Sequence, residues 1–358
     1  MKTLIVGGGL TGLSIARQLS QLHHQFVLLE ARDRFGGRIL TESVENAVFD
    51  MGPAWFWPGQ PRIAKLVDRL GLNKFEQYSR GDLVFEDEAG RIHRGQGFAS
   101  MEGSLRIVGG FAALIAALEK QVPQSSKRLE AETVSVECKA DRCVVTLADG
   151  SEVRGDQVVI ARPPRVAAGI SYSPYLPDEG AALLAATPTW MGGQAKVVAI
   201  YDTPFWREAG LSGDAMSRKG PLIEIHDASP ASGGPYALFG FVGLPTHARS
   251  DQEVLRRSAV AQLTRIFGAS AATPRAVYMK DWALDPLTST ACDHRPLQGH
   301  PVYERPAALR GMWDGRLIFA GTELAAHFGG YIEGALESAE AAISELASNT
   351  SRHARAAI

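Results

Sequence analysis

The sequence predicts an α/β fold built from two domains, and three observations support this prediction. Residues 3–30, TLIVGGGLTGLSIARQLSQLHHQFVLLE, have the pattern of a strand, a glycine turn, a helix and a second strand. Residues 316–347, RLIFAGTELAAHFGGYIEGALESAEAAISELA, have the pattern of a strand, a loop and a long helix. A chain of 358 residues, 45% hydrophobic, is long enough for about two domains with separate cores.

The overall composition excludes several classes of function. A formal net charge of −2 gives no broad basic surface for nucleic acid or acidic membranes. No apolar run approaches the roughly 20 residues of a membrane span, and a strand begins by residue 3. We therefore expect a soluble cytoplasmic protein with neither nucleic acid nor membrane as a partner. The nine histidines lack metal-ligand spacing, so no metal is predicted.

The sequence contains three cysteines, an odd number. Cys138 and Cys143 flank the residues KADR between two strand-like runs, a spacing that some disulfide reductases use for a redox pair. Because disulfides are rare in the cytosol, we expect two free thiols on the strands of a hairpin.

The glycine turn near the N-terminus has the spacing of a dinucleotide-binding motif. Gly7, Gly9 and Gly12 form G-x-G-x-x-G between a strand and a helix. Such glycines permit a tight turn, a close approach of pyrophosphate and close helix–strand packing, and the helix N-terminus attracts phosphate. Glu30 ends the second strand, where its carboxylate could accept ribose hydroxyls. This context predicts a Rossmann-like site; the alternative is a glycine turn that binds nothing.

The residues after Glu30, EARDRFGGRI, resemble the second FAD motif of the flavin amine oxidase superfamily, which includes monoamine and polyamine oxidases. The resemblance implies an FAD cofactor, with Gly36 and Gly37 passing close to it and Arg38 meeting its phosphate or flavin. No second G-x-G-x-x-G follows, which argues against a separate NAD(P)H site and against a reductase.

Residues 316–347 resemble the closing FAD motif of the same superfamily. This resemblance implies that Glu323 contacts the ribityl–phosphate portion of FAD. A helix starting near Gly330 would point its positive end at the flavin C2 carbonyl and N1, where a reduced flavin carries negative charge. Either Thr133 or Val134 would supply backbone contacts to the adenine.

The motifs and the resemblance together imply an amine oxidase-like architecture. A Rossmann-like, discontinuous FAD-binding domain would comprise residues 1–62, 103–185 and 285–358, and a smaller mixed-sheet substrate domain would comprise residues 63–102 and 186–284. FAD would be bound non-covalently. The predicted cofactor-binding residues are Gly7, Gly9, Leu10, Thr11, Gly12, Glu30, Ala31, Arg32, Gly36, Gly37, Arg38, Gly52, Pro53, Ala54, Thr133, Val134, Gly321, Thr322, Glu323, Gly330, Tyr331 and Ile332.

Lys196 is a charged residue in a strand-like run, QAKVVAIYDTPFW, where it shares a face with Val198 and Ile200. The run resembles the amine oxidase segment whose lysine holds a water near flavin N5. This implies that Lys196 faces the flavin cavity and assists oxidation of reduced flavin by O₂, since a positive charge stabilises developing superoxide or peroxide. The alternative is a strand-end lysine that reaches solvent.

The resemblance also assigns Trp282 and Tyr331 to the flavin-facing part of the site. Monoamine oxidases hold the amine between two tyrosines; Tyr331 matches one, and Cys292 occupies the place of the other. The cysteine that carries covalent flavin in monoamine oxidases falls on Ala291. The incomplete aromatic cage argues against a simple arylalkyl amine, and contact between Cys292 and the flavin stays open.

The chain lacks about a hundred residues of helices that the family usually inserts before the helix near residue 108. We expect a more open active site that takes a bulky or carrier-bound substrate, or a partner that completes the pocket. The oligomeric state is not predicted.

The leading prediction is an FAD-dependent amine oxidase. A neutral amine would lose a hydride from its α-carbon to flavin N5, water would hydrolyse the resulting imine, and O₂ would reoxidise the flavin. Two alternatives stay open: a dehydrogenase, desaturase or renalase-like enzyme acting on a non-amine substrate, and a catalytically idle FAD-bound protein that acts through a partner.

Overall fold

The computed structural model describes residues 1–97, 99–139, 142–295, 297 and 299–356, with side chains described up to residue 349. The strands are β1 (Lys2–Val6), β2 (Gln25–Leu29), β3 (Thr41–Val44), β4 (Ala47–Asp50), β5 (Lys74–Glu76), β6 (Asp82–Glu86), β7 (Ile92–Arg94), β8 (Leu105–Ile107), β9 (Lys127–Arg128), β10 (Thr133–Cys138), β11 (Cys143–Leu147), β12 (Glu152–Gly155), β13 (Gln157–Ile160), β14 (Ser171–Ser173), β15 (Ala195–Tyr201), β16 (Leu211–Ser217), β17 (Leu222–Asp227), β18 (Tyr236–Val242), β19 (Ala276–Asp281) and β20 (Leu317–Phe319).

The α-helices connect these strands or cover their sheets. They are α1 (Leu10–Gln21), α2 (Pro61–Arg69), α3 (Gly110–Glu119), α4 (Pro164–Ala167), α5 (Asp178–Ala186), α6 (Phe205–Glu208), α7 (Gln252–Phe267) and α8 (Ile332–Ala356). Among the helices so described, none is both long and apolar enough to cross a bilayer.

A five-stranded parallel sheet brings the two ends of the chain together. Its order is β20-β13-β1-β2-β9, so strands from the start, middle and end of the sequence are neighbours. The apolar run of β1 is buried on both faces, as parallel strands usually are. Ile5 packs with α1, α3 and α8, whereas Leu4 and Val6 pack with a four-stranded sheet of order β12-β11-β10-β14.

A second, seven-stranded sheet has the order β19-β15-β18-β17-β16-β6-β7 and contains both parallel and antiparallel pairs. Helix α7 covers one face through an apolar cluster that includes Leu255 and Leu263. Val198 and Ile200 lie on the other face, where they pack with Phe49 of β4. This mixed sheet and the parallel sheet confirm the predicted α/β class.

The C-terminal helix α8 also fixes the start of α2. Glu333 accepts hydrogen bonds from the backbone N–H groups of Arg62 (2.9 Å) and Ile63 (2.8 Å). Ile63 and Val67 of α2 are buried in the same core as α8. The first residues of the predicted substrate segment 63–102 therefore pack with α8 in the core beside the parallel sheet; the exact domain boundaries stay a prediction.

The prediction of two free thiols at Cys138 and Cys143 is wrong. These residues lie directly opposite each other in the β10–β11 hairpin, with Cα atoms 4.0 Å apart, and form a disulfide. The prediction of free thiols relied on the expected cytosolic location, where disulfides are rare. The hairpin register, which places the two buried cysteines side by side, decides the pairing instead.

Candidate active site

One cavity of about 610 Å³ extends from the parallel sheet to the mixed sheet. Residues at the carboxyl ends of four parallel strands line it: Gly7 after β1, Glu30 after β2, Ala161 after β13, and Gly321 two residues after β20. The carboxyl ends of parallel strands are where open α/β sheets bind their ligands. The cavity therefore lies where the N-terminal glycine motif predicted a dinucleotide.

The three motif glycines have different surroundings. Gly7 has φ +109°, and an added Cβ would lie 2.4 Å from the Ala161 carbonyl oxygen. An added Cβ on Gly12 would lie 1.9 Å from the Gly7 carbonyl oxygen, so Gly12 serves helix–strand packing and does not line the cavity. At Gly9 the nearest atom would be the Gly36 carbonyl oxygen at 4.0 Å, which leaves open space in front of this residue.

The Glu30 carboxylate is buried and held in place by the backbone. Its oxygens accept hydrogen bonds from the N–H groups of Gly8 (2.7 Å) and Arg32 (2.9 Å). Thr133 lines the same part of the cavity, and its buried Oγ1 has no hydrogen-bond partner within the described chain. Val134 is 42% exposed and does not line the cavity, which favours Thr133 for the predicted adenine contact.

Arg38 and Glu323 join the N-terminal and C-terminal motifs. Two hydrogen bonds link the guanidinium to the carboxylate (2.5 and 3.0 Å), and the Glu323 side chain is fully buried. Burial alone would lower the pKa of Arg38, but the Glu323 carboxylate raises it above the ordinary value. Both residues line the cavity, so this ion pair links the N-terminal and C-terminal motifs at the cavity wall.

The start of α8 points into the cavity. Gly330 has φ +83°, and an added Cβ would lie 2.9 Å from Trp190, so a larger residue would not fit there. The Thr322 hydroxyl donates to the Tyr331 carbonyl oxygen (2.6 Å). Gly330, Tyr331 and Ile332 line the cavity, so the N-terminal end of α8 lies at the cavity wall.

Lys196 lies on the cavity wall and is only 3% exposed, which rules out the alternative in which it reaches solvent. Its Nζ donates to the Gly52 carbonyl oxygen (3.2 Å) and lies 4.1 Å from the centre of the Phe239 ring. Burial lowers the pKa of Lys196 to about 7; Asp50 acts in the opposite direction, and Arg106 adds to the lowering. The lysine can therefore change protonation state near neutral pH.

Trp282 and Tyr331 both line the cavity. Trp282 Nε1 donates to the Met51 carbonyl oxygen (3.2 Å). The Tyr331 ring stacks on His300, with ring centres 4.8 Å apart and planes 10° apart. No sequence signal indicated His300, which does not itself line the cavity.

Cys292 lies away from the cavity. It is exposed, in a short 3₁₀ turn of residues Ala291–Asp293, and is not a cavity residue. Asp293 holds this turn by accepting hydrogen bonds from Arg165 and from the Thr189 N–H. The geometry therefore gives no support for a Cys292–flavin contact.

We expect Cys292→Ala to leave flavin binding unchanged. Because the thiol lies outside the cavity, all the flavin of both parent and variant should stay in the supernatant after acid precipitation. Absorbance of supernatant and pellet checks this; flavin in the pellet of the parent alone would reveal a covalent bond through this cysteine.

All predicted site residues except Gly12 and Val134 line the cavity. Their individual roles stay predictions. Sequence reasoning missed a further set of lining residues, mainly aromatic: Trp55, Trp57, Met101, Trp190, Ile223, Glu224 and Phe241. The sequence could have indicated Glu224. It and His226 are polar residues at alternate positions of a strand, and Lys196 was predicted to face the cavity because it too is a polar residue in a strand.

Comparison with known proteins identifies the family. The model of the family described as "Flavin containing amine oxidoreductase" matches residues 10–97 and 90–345. The chain belongs to this family. It is thus a flavin-dependent enzyme that acts on amines, and the predicted superfamily, enzyme class and flavin cofactor are confirmed.

Individual relatives cover nearly the whole chain at low identity. "Probable flavin-containing monoamine oxidase A" of Dictyostelium discoideum is 26% identical over 436 residues, covering 94% of this chain and 95% of that protein. This alignment exceeds the 358 residues of the chain, so the relative contains segments that the chain lacks. "Putrescine oxidase" of Kocuria rosea is 23% identical, covering 96% and 93%.

Solved structures show the same fold. "Cyclohexylamine Oxidase from Brevibacterium oxydans IH-35A" superimposes with a TM-score of 0.84 at 21% identity, covering 98% of this chain and 99% of that chain. A putrescine oxidase bound to putrescine gives a TM-score of 0.83 at 21% identity, covering 97% and 99%. The amine oxidase-like architecture is therefore confirmed.

Proposed function

We propose that the chain binds one FAD non-covalently and oxidises the C–N bond of an amine, with O₂ as electron acceptor. The observation that carries the proposal is the continuous cavity, which joins the glycine motif, the Arg38–Glu323 pair and Lys196. A bound flavin would accept a hydride equivalent from the α-carbon of the amine and pass two electrons to O₂, giving an imine and hydrogen peroxide.

Two features of the nucleotide end fit FAD. The space in front of Gly9 would admit a pyrophosphate close to the backbone. The fixed Glu30 carboxylate retains free lone pairs for ribose hydroxyls, and the unpartnered Thr133 Oγ1 offers a further polar contact nearby.

The residues at the other end would position and stabilise the reacting groups. The N-terminus of α8 supplies a positive dipole end where flavin reduction adds negative charge. Trp282 and the aromatic residues of the cavity exclude water from the amine. Lys196, when protonated, would stabilise negative charge on reduced oxygen species.

Several finer predictions belong to this proposal. The chain lacks segments present in its relative, which supports a more open active site with a bulky or carrier-bound substrate, or a partner that completes the pocket. The cytoplasmic location stays a prediction.

Anaerobic mixing of the purified protein with amines tests the proposed reaction. We expect primary amines to bleach the flavin absorbance near its long-wavelength maximum, and admission of air to restore it with release of one peroxide per turnover. Bleaching by NAD(P)H or its isomers, but by no amine, would contradict the proposal. Bound flavin that no donor reduces would instead indicate a non-catalytic protein.

A further inference from the structure

Arg162 lies two residues after β13, on the wall of the cavity. An added Cβ on Gly7 would lie 3.3 Å from the Cγ atom of Arg162. An added Cβ on Gly321 would lie 3.3 Å from its carbonyl oxygen. Arg162 is therefore a neighbour of the first glycine turn, which belongs to the motif that would hold a pyrophosphate, and of the loop after β20.

Most of the hydrogen-bond donors of the Arg162 guanidinium are unused. Its Nη1 donates to the Thr133 carbonyl oxygen (3.2 Å), and within the described chain the guanidinium makes no further hydrogen bond. Nor does a carboxylate of the described residues form an ion pair with it. Because a guanidinium carries five N–H donors, several stay available to a ligand in the cavity.

The other two arginines that line the cavity are paired with carboxylates. Arg32 makes two hydrogen bonds to Asp285 (3.1 and 2.8 Å), and Arg38 makes two to Glu323 (2.5 and 3.0 Å). Each of these pairs is close to neutral in charge. Among the described residues, Arg162 is thus the cavity arginine whose positive charge is not cancelled by a contacting carboxylate.

Partial burial makes an unpaired charge at this position costly. Burial lowers the pKa of Arg162, while Tyr172, Glu132 and Glu30 act in the opposite direction. An arginine nevertheless stays charged in proteins. Because buried charges are normally paired, an anionic group in the cavity would complete the surroundings of this guanidinium.

We propose that Arg162 pairs with the diphosphate of the bound dinucleotide. This inference rests on the proposed FAD site. Guanidinium and phosphate oxygens form bidentate, charge-assisted hydrogen bonds, which suit the unused donors of Arg162. The balance of charge favours the same partner, since the buried Glu30 carboxylate at this end of the cavity would repel a diphosphate. The resemblance implied Arg38 as a phosphate or flavin contact, but its pairing with Glu323 makes Arg162 the better candidate for the phosphate.

Binding of FAD, ADP and adenosine to the full-length protein tests the proposal without any amine. Equilibrium dialysis of the holoprotein gives the FAD affinity, and competition against FAD gives the affinities of ADP and adenosine. We expect Arg162→Met to weaken FAD and ADP by about 30-fold each, the order expected for loss of a hydrogen bond to a charged group. Adenosine has no phosphate, so its affinity should fall by less than about threefold.

Two further variants separate a phosphate contact from a purely structural role. Arg162→Lys keeps the charge but not the planar fork, so the ADP affinity should fall by only about fivefold. Arg154→Met removes an arginine that is 62% exposed, pairs with Glu152 (2.8 Å) and lies outside the cavity. All three ligands should bind to this control as they bind to the parent.

Two results would overturn this inference: an unchanged ADP affinity in Arg162→Met, or equal losses of ADP and adenosine affinity. The second result would indicate that the substitution disturbs the region around Thr133 or a contact to the nucleoside. FAD content and melting temperature identify a misfolded variant; if Arg162→Met misfolds, the ADP and adenosine affinities of Arg162→Lys decide. A parent protein that binds neither FAD nor ADP would instead reject the proposed flavin site itself.

Discussion

Replacing Lys196 with methionine should slow the reaction of reduced flavin with O₂ by about 100-fold, because removal of one preorganised electrostatic group at a reaction centre has effects of this order. The lysine is buried on the cavity wall, where bulk solvent screens its charge less than at the protein surface. Flavin reduction by the amine should change much less, by about fivefold at most, because that step does not build negative charge on oxygen. Stopped-flow measurement of the two half-reactions separates these effects.

Lys219→Met is the matched control for this prediction. Lys219 is exposed, lies outside the cavity and donates to the Ala89 carbonyl oxygen, so its loss removes the same charge from the protein surface. Its reoxidation rate should equal that of the parent. If Lys196→Met is also reoxidised at the parental rate, Lys196 has no part in the oxygen reaction.

The same lysine predicts a pH dependence. Burial lowers the pKa of Lys196 to about 7, so the ammonium forms as pH falls through neutrality and is lost as pH rises above it. The reoxidation rate of the parent should therefore increase as pH decreases from about 8 to about 6, and that of Lys196→Met should stay flat. A parallel rise in both proteins would assign the dependence to a group other than Lys196.

The second large effect is expected for Glu323→Gln. The Glu323 carboxylate is fully buried against Arg38, and removal of one partner from a buried ion pair typically costs about 3–5 kcal/mol. The pair also joins two loops that line the cavity, one from each end of the chain. We expect the variant to unfold at a lower temperature and to lose flavin during gel filtration; a thermal melt and the flavin-to-protein absorbance ratio measure both.

Glu340→Gln is a suitable comparison because it removes a glutamate from another Arg–Glu pair. Glu340 of α8 is 56% exposed where it pairs with Arg62 (2.7 Å), and exposed pairs contribute only about 0–1 kcal/mol. Its melting temperature and flavin content should match those of the parent. A Glu323→Gln protein as stable and as yellow as Glu340→Gln would show that the buried pair does not hold the site together.

The residues at the predicted cofactor-binding end of the cavity could be predicted from the sequence because their motifs are local. The glycines of residues 7–12, Glu30 and the residues before α8 act through backbone geometry, which neighbouring residues determine. Their spacing therefore predicted where the cavity lies and which residues line it. Gly12 and Val134 were predicted to bind the cofactor but do not line the cavity: Gly12 is buried and Val134 is exposed. Local spacing therefore did not predict which residues of a motif reach the cavity.

The substrate end was less predictable because its contacts join distant strands. Glu224 meets Ser100 only after β17 and the loop before β8 have come together, and His300 reaches Tyr331 from a loop. The Cys138–Cys143 disulfide likewise depends on hairpin register and not on the compartment assumed for the protein. Pairings of this kind have no signature in a single sequence beyond a polar residue in an apolar strand.

The most direct measurement is the flavin content of the purified protein after acid precipitation. Because the first and last motifs face one cavity, we predict one FAD per chain, all of it in the supernatant. A colourless protein that takes up no FAD on reconstitution would contradict the claim that both ends of the chain bind a single flavin.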